Sequence, residues 1–328
     1  MSELRTPVSL DIVVCTYNNA SLLDRALVAI AAQEVGDDVT WSVVVVDNNC
    51  TDGTADVVAR HVARLGERLR LVREPRQGLT PARLRGVSST AADWIAFVDD
   101  DCLLAPDWIA EAAACAREHP ACGAFGGFIE LEWEREPDAY VHRWEWAYAA
   151  QDLGREARAV EWVTGMVVRR EALAAIGWID RQLLADRTGT ALVSGGDVEI
   201  GLRLGTQFEL WYTPRCRLRH VVQVHRTTHS YLARLVYGLG VSSFLGDTMQ
   251  WQGSERTWVP AAALRSHRPV RAVLEAAAGV VRGRRDPRDV TIAFSFLCGW
   301  WGGILRFLTV AEGRRAELVG LAARPRRP

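Results

Sequence analysis

Through its first 130 residues the chain alternates two patterns, and this alternation constrains the fold more than any other feature. Short unbroken apolar runs, Leu10–Cys15, Trp41–Val46, Leu69–Val72 and Trp94–Val98, read as strands buried on both faces. Helical periodicity fills the gaps between them. After Tyr17-Asn18-Asn19, Ser21 is placed to cap a helix whose inner face is Leu22, Leu23, Ala26, Leu27 and Ile30. Thr51-Asp52-Gly53 leads into a second helix with Val57, Val58, Val62 and Leu65 inward, and residues 80–90 read as a third. The expected class is α/β: a Rossmann-like, mostly parallel sheet with helices on both faces. Each strand ends in polar residues, on the edge where such sheets bind ligands.

Composition removes several alternatives. The chain has 328 residues, 49% hydrophobic and 24% charged, which excludes a disordered chain, a collagen-like repeat and a polytopic membrane protein. The length suits one large domain or two modest ones. All 39 basic residues are Arg, so Schiff-base lysines and lysine-dependent phosphate loops are excluded. Seven scattered Cys with no C-x-x-C pair spell neither a zinc ribbon nor a disulfide framework. Net charge is −1, which gives no reason to expect nucleic acid as a partner. Reduced thiols and an N-terminus, MSELRTPVSL, without a signal-peptide core suit a cytoplasmic protein.

Beyond residue 120 the pattern loosens. Cys122–Trp133 reads as a longer strand, Arg135–Ala150 is aromatic and polar, and Glu171–Ile176 is a short helix. Asp197–Leu204 reads as a helix and Phe208–Tyr212 as a strand. Composition changes near 252–257. Residues 254–328 hold 14 Arg against 6 Asp and Glu, while the first 253 residues carry 25 Arg against 34 acids. The expected division is a body at 1–253, regular over about 9–120 and looser over about 121–253, and an Arg-rich helical tail at 254–328.

The strongest chemical signal is Asp99-Asp100-Asp101. Three adjacent carboxylates repel one another unless a cation neutralises them, and hard oxygen ligands suit Mg²⁺ or Mn²⁺, which in turn holds a diphosphate. A solvated turn before Pro106 would look the same. Asp47 offers an acceptor to a base N–H or a ribose hydroxyl, or simply begins its own turn. Thr16 and Tyr17 offer a hydroxyl and a ring; Arg83 is either a diphosphate contact or a surface arginine. Gly195-Gly196-Asp197 opens a helix, so Asp197 is a helix cap or a general base for an acceptor hydroxyl. His220, His225 and His229 are spaced loosely like metal ligands but lack a recognised motif, and Tyr237-Gly238-Leu239-Gly240 follows no strand and is no dinucleotide fingerprint. Trp133, Trp144, Trp146 and Trp162 stack on sugars or fill the core.

Six segments in order resemble glycosyltransferase family 2, the nucleotide-sugar enzymes of GT-A fold: IVVCTYNN (12–19), VVVVDNNCTDGT (43–54), GLTPARLRG (78–86), WIAFVDDDCLLAPDW (94–108), WVTGMVVRREAL (162–173) and GGDVEIGLRL (195–204). The resemblance covers roughly residues 9 to 230, and it implies that 1–253 is the catalytic domain, with a nucleotide-sugar half at about 9–120 and an acceptor half at about 121–253. It implies that Thr16, Tyr17, Asp47 and Arg83 hold the nucleotide and that Asp99-Asp100-Asp101 carries the D-x-D motif. Asp99, with Asp100 beside it, would lie towards the nucleotide's ribose, and Asp101 would lie on Mn²⁺ or Mg²⁺. It places Asp197 as the base of an inverting transfer, His220 at a further metal or diphosphate contact, and Gly165 in the sugar pocket. The family often has Glu-Asp where this chain has Gly196-Asp197, so Asp197 and Glu199 both stand as candidate bases. It often has Ala-Arg-Asn where this chain has Ala82-Arg83-Leu84.

The expected reaction moves a sugar from a nucleotide-diphosphate donor, a UDP-sugar by resemblance, to a glycan, lipid-linked or small-molecule acceptor. A sugar nucleotidyltransferase or an inactive nucleotide-sugar-binding scaffold are the competing readings; the first would normally carry a basic Gly-rich loop after the first strand. In the tail, Val270, Val273, Leu274, Ala277 and Val281 share one helical face, and Val290–Leu305 is uncharged for 16 residues. Sixteen residues reach about 24 Å, short of the roughly 30 Å hydrocarbon core. Arg with Trp and Phe on such helices suits the inner face of an anionic membrane, or packing on the body or a second copy.

Overall fold

Buried Leu10, Ile12 and Val14 and buried Val43 and Val45 make the first strands a two-sided core, as their unbroken apolar runs require. The computed structural model describes residues 6–184, 186, 192 and 195–323. Strands and helices alternate as β1 (Val8–Thr16), α1 (Ala20–Ala31), β2 (Val39–Asp47), α2 (Thr54–Leu65), β3 (Leu69–Arg73), α3 (Leu79–Ser88) and β4 (Trp94–Asp99). There follow β5 (Cys102–Leu104), α4 (Trp108–Glu118), β6 (Ala124–Trp133), β7 (Arg158–Val160), β8 (Val167–Arg169) and α5 (Arg170–Ala175). The chain continues through α6 (Gly196–Gln207), β9 (Leu210–Val222), α7 (His229–Met249), α8 (Glu255–Arg265), α9 (His267–Val281), α10 (Pro287–Thr309) and α11 (Glu312–Leu318). Two compact units form. One comprises Met1–Glu132, Ala149–Arg181 and Gln207–Val221; the other comprises Trp133–Tyr148, Gln182–Thr206 and Val222–Pro328.

The first unit is built on a sheet of nine strands among the described residues, in the order β3-β2-β1-β4-β8-β6-β9-β5, with β7 on β9. Neighbours among β3, β2, β1 and β4 run parallel, while β8 is antiparallel to β4 and β6. The expected α/β class with a mostly parallel sheet and a C-terminal helical region is the architecture found. Register then fixes the ligand edge: Thr16 lies opposite Asp47, and Cys15 opposite Asp99.

Three local expectations are corrected. Helix α1 begins at Ala20 with Asn19 in the capping position, and the Ala20 amide is capped from α2's approach by the Asp52 carboxylate at 2.9 Å, not by Ser21. In α2 the buried stripe runs Thr54, Val57, Val58, His61 and Leu65. Val62 is therefore exposed, and His61 is accommodated inside because Asp24 bonds its ring at 2.9 Å. Strand β9 extends ten residues past Tyr212, to Val222. Its outer face is arginine: Arg215, Arg217 and Arg219 are exposed while Cys216, Leu218 and His220 between them are buried. Period-two alternation on a half-exposed strand looks polar in bulk, and here it turns His220 inward. Strand β6 lies so close to β9 that a side chain on Gly127 would meet the Cys216 carbonyl oxygen at 1.7 Å.

The second unit is helical. Phe244, Trp258, Trp300, Ile304, Phe307 and Leu318 form its core. Backbones of α7 and α10 touch: a Cβ on Gly299 would lie 2.0 Å from the Tyr237 carbonyl oxygen, and one on Gly240 2.3 Å from that of Phe296. The glycines of Tyr237-Gly238-Leu239-Gly240 thus belong to a helix, and Gly240 serves helix packing. Asp286 and Asp289 close a capping box at the start of α10, and buried Asp289 also accepts bonds from Arg143 at 2.6 Å and Trp144 at 2.8 Å. Those bonds tie the 3₁₀ turn Val141–Tyr148 to α10.

Candidate active site

The C-terminal ends of β1, β2 and β4 lie side by side in the first unit and bring Thr16, Asp47 and Asp99 to one edge. The turns beyond them need special backbone. Asn18 and Asn49 adopt φ of 52° and 65°, a region that Asn tolerates better than most residues. Asn18 accepts the Thr51 amide at 2.7 Å, joining the two turns. Asn48 is buried and donates to the carbonyls of Glu74 (3.0 Å) and Arg76 (2.7 Å) while accepting the Gly78 amide (2.8 Å). The corner after β2 is thereby bound to the start of α3. Asp47 accepts the Cys50 amide at 2.7 Å, and Tyr17, the residue after Thr16, is exposed.

The three acids that close β4 and begin its turn diverge. Asp99 is exposed. Asp100 turns inward, where the Thr16 hydroxyl donates to it at 2.6 Å and the Asn19 amide at 2.8 Å. Thr16 and Asp100 therefore brace the β1 corner against the β4 corner. Nothing local in the sequence marks Asn19 for this role, because its partner lies 81 residues away. Asp101 faces His220, with Oδ2 3.2 Å from Nε2 and both side chains largely buried. Pairing of Cys102 with His220 between β5 and β9 sets that distance. A hard carboxylate just before β5 and an imidazole on β9 fit a Mn²⁺ or Mg²⁺ ion, which commonly takes few protein ligands and completes its shell with phosphate oxygens. No larger cluster of potential ligands occurs among the described residues. His225 lies edge-on to Tyr231, and His229 bonds Thr291 at 2.6 Å, so the three spaced histidines serve separate neighbourhoods.

Arg83 is buried on α3, only 4% exposed, with its guanidinium 5.6 Å from the Phe97 ring centroid. It is no surface arginine. Gly165 has φ +63°, a conformation that favours glycine. Trp146 and Trp162 are exposed, whereas Trp133 and Trp144 are partly buried.

Burial, and next the Asp101 carboxylate, push the Asp100 carboxyl up to about 7, against the hydrogen bonds from Thr16 and Asn19. Between the ordinary carboxylate value and 7 the folded protein holds a proton that the unfolded chain has released, so stability falls as pH rises through that window. In thermal melts with a chelator present, Asp100→Asn is expected to gain on the parent between about pH 4 and about pH 7 and to hold that gain above it. A difference constant over that range would refute a raised Asp100.

Asp197 and Glu199 belong to the second unit, in the first turn of α6. Their surroundings differ sharply. Glu199 is fully buried, paired with Arg203 at 2.6 Å, and accepts the amides of Leu183 at 3.0 Å and Leu184 at 2.8 Å. Asp197 retains solvent contact.

Comparison with known proteins gives a consistent result. Residues 11–177 match Glycosyl transferase family 2. Over 120 residues the chain is 38% identical to a PGL/p-HBAD biosynthesis glycosyltransferase of Mycobacterium bovis, covering 36% of this chain and 46% of that protein. The chain thus spans about half the length of such curated relatives. A longer match, 21% identical over 257 residues, covers 76% of this chain and 80% of a glucosyl-dolichyl phosphate glucuronosyltransferase from Haloferax volcanii. Among solved structures, the mannosyltransferase PcManGT from Pyrobaculum calidifontis in complex with GDP-Man and Mn²⁺ aligns with a TM-score of 0.60 at 20% identity, over 92% of this chain and 88% of that one. That likeness is one of fold, the GT-A fold.

Proposed function

Because the chain belongs to glycosyl transferase family 2, we propose that it transfers a sugar from a nucleotide-diphosphate donor to an acceptor hydroxyl, inverting the anomeric carbon. A UDP-sugar is the donor of first choice. A glycan, lipid-linked or small-molecule hydroxyl is the acceptor. The observation that carries this reading is the gathering of Thr16, Asp47, Asp99, Asp100, Asp101 and His220 along one edge of the sheet.

Each residue has a task suited to its surroundings. Tyr17 presents an exposed ring to the base, and Asp47 presents an acceptor to a base N–H or ribose hydroxyl. Exposed Asp99 is placed for the ribose. Thr16 and Asp100 hold each other and so keep the β1 and β4 corners at a fixed spacing. Arg83 places a buried cation on the diphosphate side. Asp101 and His220 would hold Mn²⁺ or Mg²⁺, which supplies positive charge to a diphosphate leaving group. Asp197 takes the proton from the acceptor hydroxyl as the new bond forms. Glu199 is committed to Arg203 and two backbone amides, and so acts as a positioning residue for the start of α6.

The test is a panel of UDP-, GDP- and dTDP-sugars with Mn²⁺ or Mg²⁺, followed by mass spectrometry. Slow release of nucleoside diphosphate from one donor, dependent on the cation, is the expected result. Pyrophosphate release would point instead to a nucleotidyltransferase, and failure to bind any of the nucleotides would overturn the reading.

A further inference from the structure

Among the described residues, α10 is the one helix long and apolar enough to cross a membrane. At 23 residues it reaches about 35 Å, longer than its uncharged run suggests, since Arg288 and Asp289 are drawn into its first turn. Yet it is held on one side. Ile292, Ala293, Gly299, Trp300, Gly303, Ile304 and Phe307 are buried, and Gly240 and Gly299 leave no gap between its backbone and that of α7. Only 39% of its apolar stretch is buried. Phe294, Trp301, Leu305 and Leu308 are exposed, and their spacing of seven, four and three residues puts them on one stripe. Leu305 is 63% exposed.

Helix α9 repeats the pattern. It packs on α10 and leaves Val270, Leu274 and Val281 exposed, the last two at 64% and 87%. Cations surround these stripes. Arg268, Arg282, Arg284, Arg285 and Arg306 are exposed, and none forms an ion pair with a carboxylate among the described residues. A helix with one face fixed to a protein core, the other apolar and its ends cationic lies in a membrane interface more readily than it spans one.

We propose that α9 and α10 form a docking face for an anionic phospholipid bilayer, with their axes in the plane of the surface. Their apolar stripes enter the headgroup boundary, and the arginines between and beside them meet lipid phosphate. The charge argues for lipid over a second copy of the chain. A two-fold contact would bring two such arginine clusters together, whereas an anionic surface neutralises them. This inference holds whichever donor and acceptor the chain uses.

Sedimentation of the full chain with phosphatidylcholine vesicles, with and without phosphatidylglycerol, tests it. Binding to the anionic vesicles is expected, falling with salt. Arg282→Ser/Arg284→Ser/Arg285→Ser should weaken that binding on the order of 100-fold. Trp301→Asp/Leu305→Asp should weaken it by more than about tenfold even at low salt. Both variants alter exposed positions, and unchanged melting curves would confirm that they fold. Equal binding to neutral vesicles with no effect of the arginine variant would overturn the proposal. So would no binding to either vesicle, or a solution dimer dispersed by Trp301→Asp/Leu305→Asp in a chain that ignores lipid.

Discussion

Asp197→Asn is expected to slow sugar transfer by about a thousandfold while leaving nucleotide affinity and the melting temperature unchanged. The substitution keeps the shape of the side chain and removes only its capacity to take a proton. Glu199 should behave in the opposite manner. Its carboxylate is sealed against Arg203 and the amides of Leu183 and Leu184, so Glu199→Ala breaks a buried ion pair and strips two buried amides of their acceptor, at a cost of about 3–5 kcal/mol. That loss appears first as a lower melting temperature. Steady-state kinetics with a nucleotide titration, run beside thermal melts, separates the two residues. Transfer that survives Asp197→Asn but stops in a stably folded Glu199→Gln would reverse their roles.

Asp101→Ala should be nearly as damaging, lowering cation-dependent release of nucleoside diphosphate by about 100- to 1,000-fold. The same variant should lose Mn²⁺ binding in the presence of nucleotide, read by calorimetry or by electron paramagnetic resonance of the ion. His220→Ala is expected to weaken the ion less, because a carboxylate carries the charge that the imidazole lacks. Release that stays cation-dependent and undiminished in Asp101→Ala would remove Asp101 from the site.

How far the sequence reveals these features depends on the distance over which each is determined. Apolar runs such as Trp94–Val98 show the parallel strands directly, because burial on both faces leaves no room for a polar residue. The ligand edge follows from where those runs stop, which is why Asp47 and Asp99 are found without coordinates. Contacts across the chain are hidden: Asp101 meets His220 across 119 residues, although the alternation in PRCRLRH of Arg with Cys, Leu and His is itself the mark of a half-exposed strand. Phase is hidden too. Val62 suits a helix's inner face as well as His61 does until Asp24 accepts the histidine ring. The second unit draws on three separated stretches, so no local pattern marks its limits. The length of α10 is obscured because its first turn is charged, although buried Asp289 there serves as a cap and as a partner for Arg143.

The contact of Gly240 with Phe296 and of Gly299 with Tyr237 limits how α10 can turn about its own axis. A rotation by one residue, about 100°, would bring the Cys298 side chain or the Trp300 indole into a space that admits no Cβ. The outward direction of Phe294, Trp301, Leu305 and Leu308 is therefore a fixed angular setting of the helix. Two glycines hold it there, and whatever meets that stripe must adapt to the angle it finds.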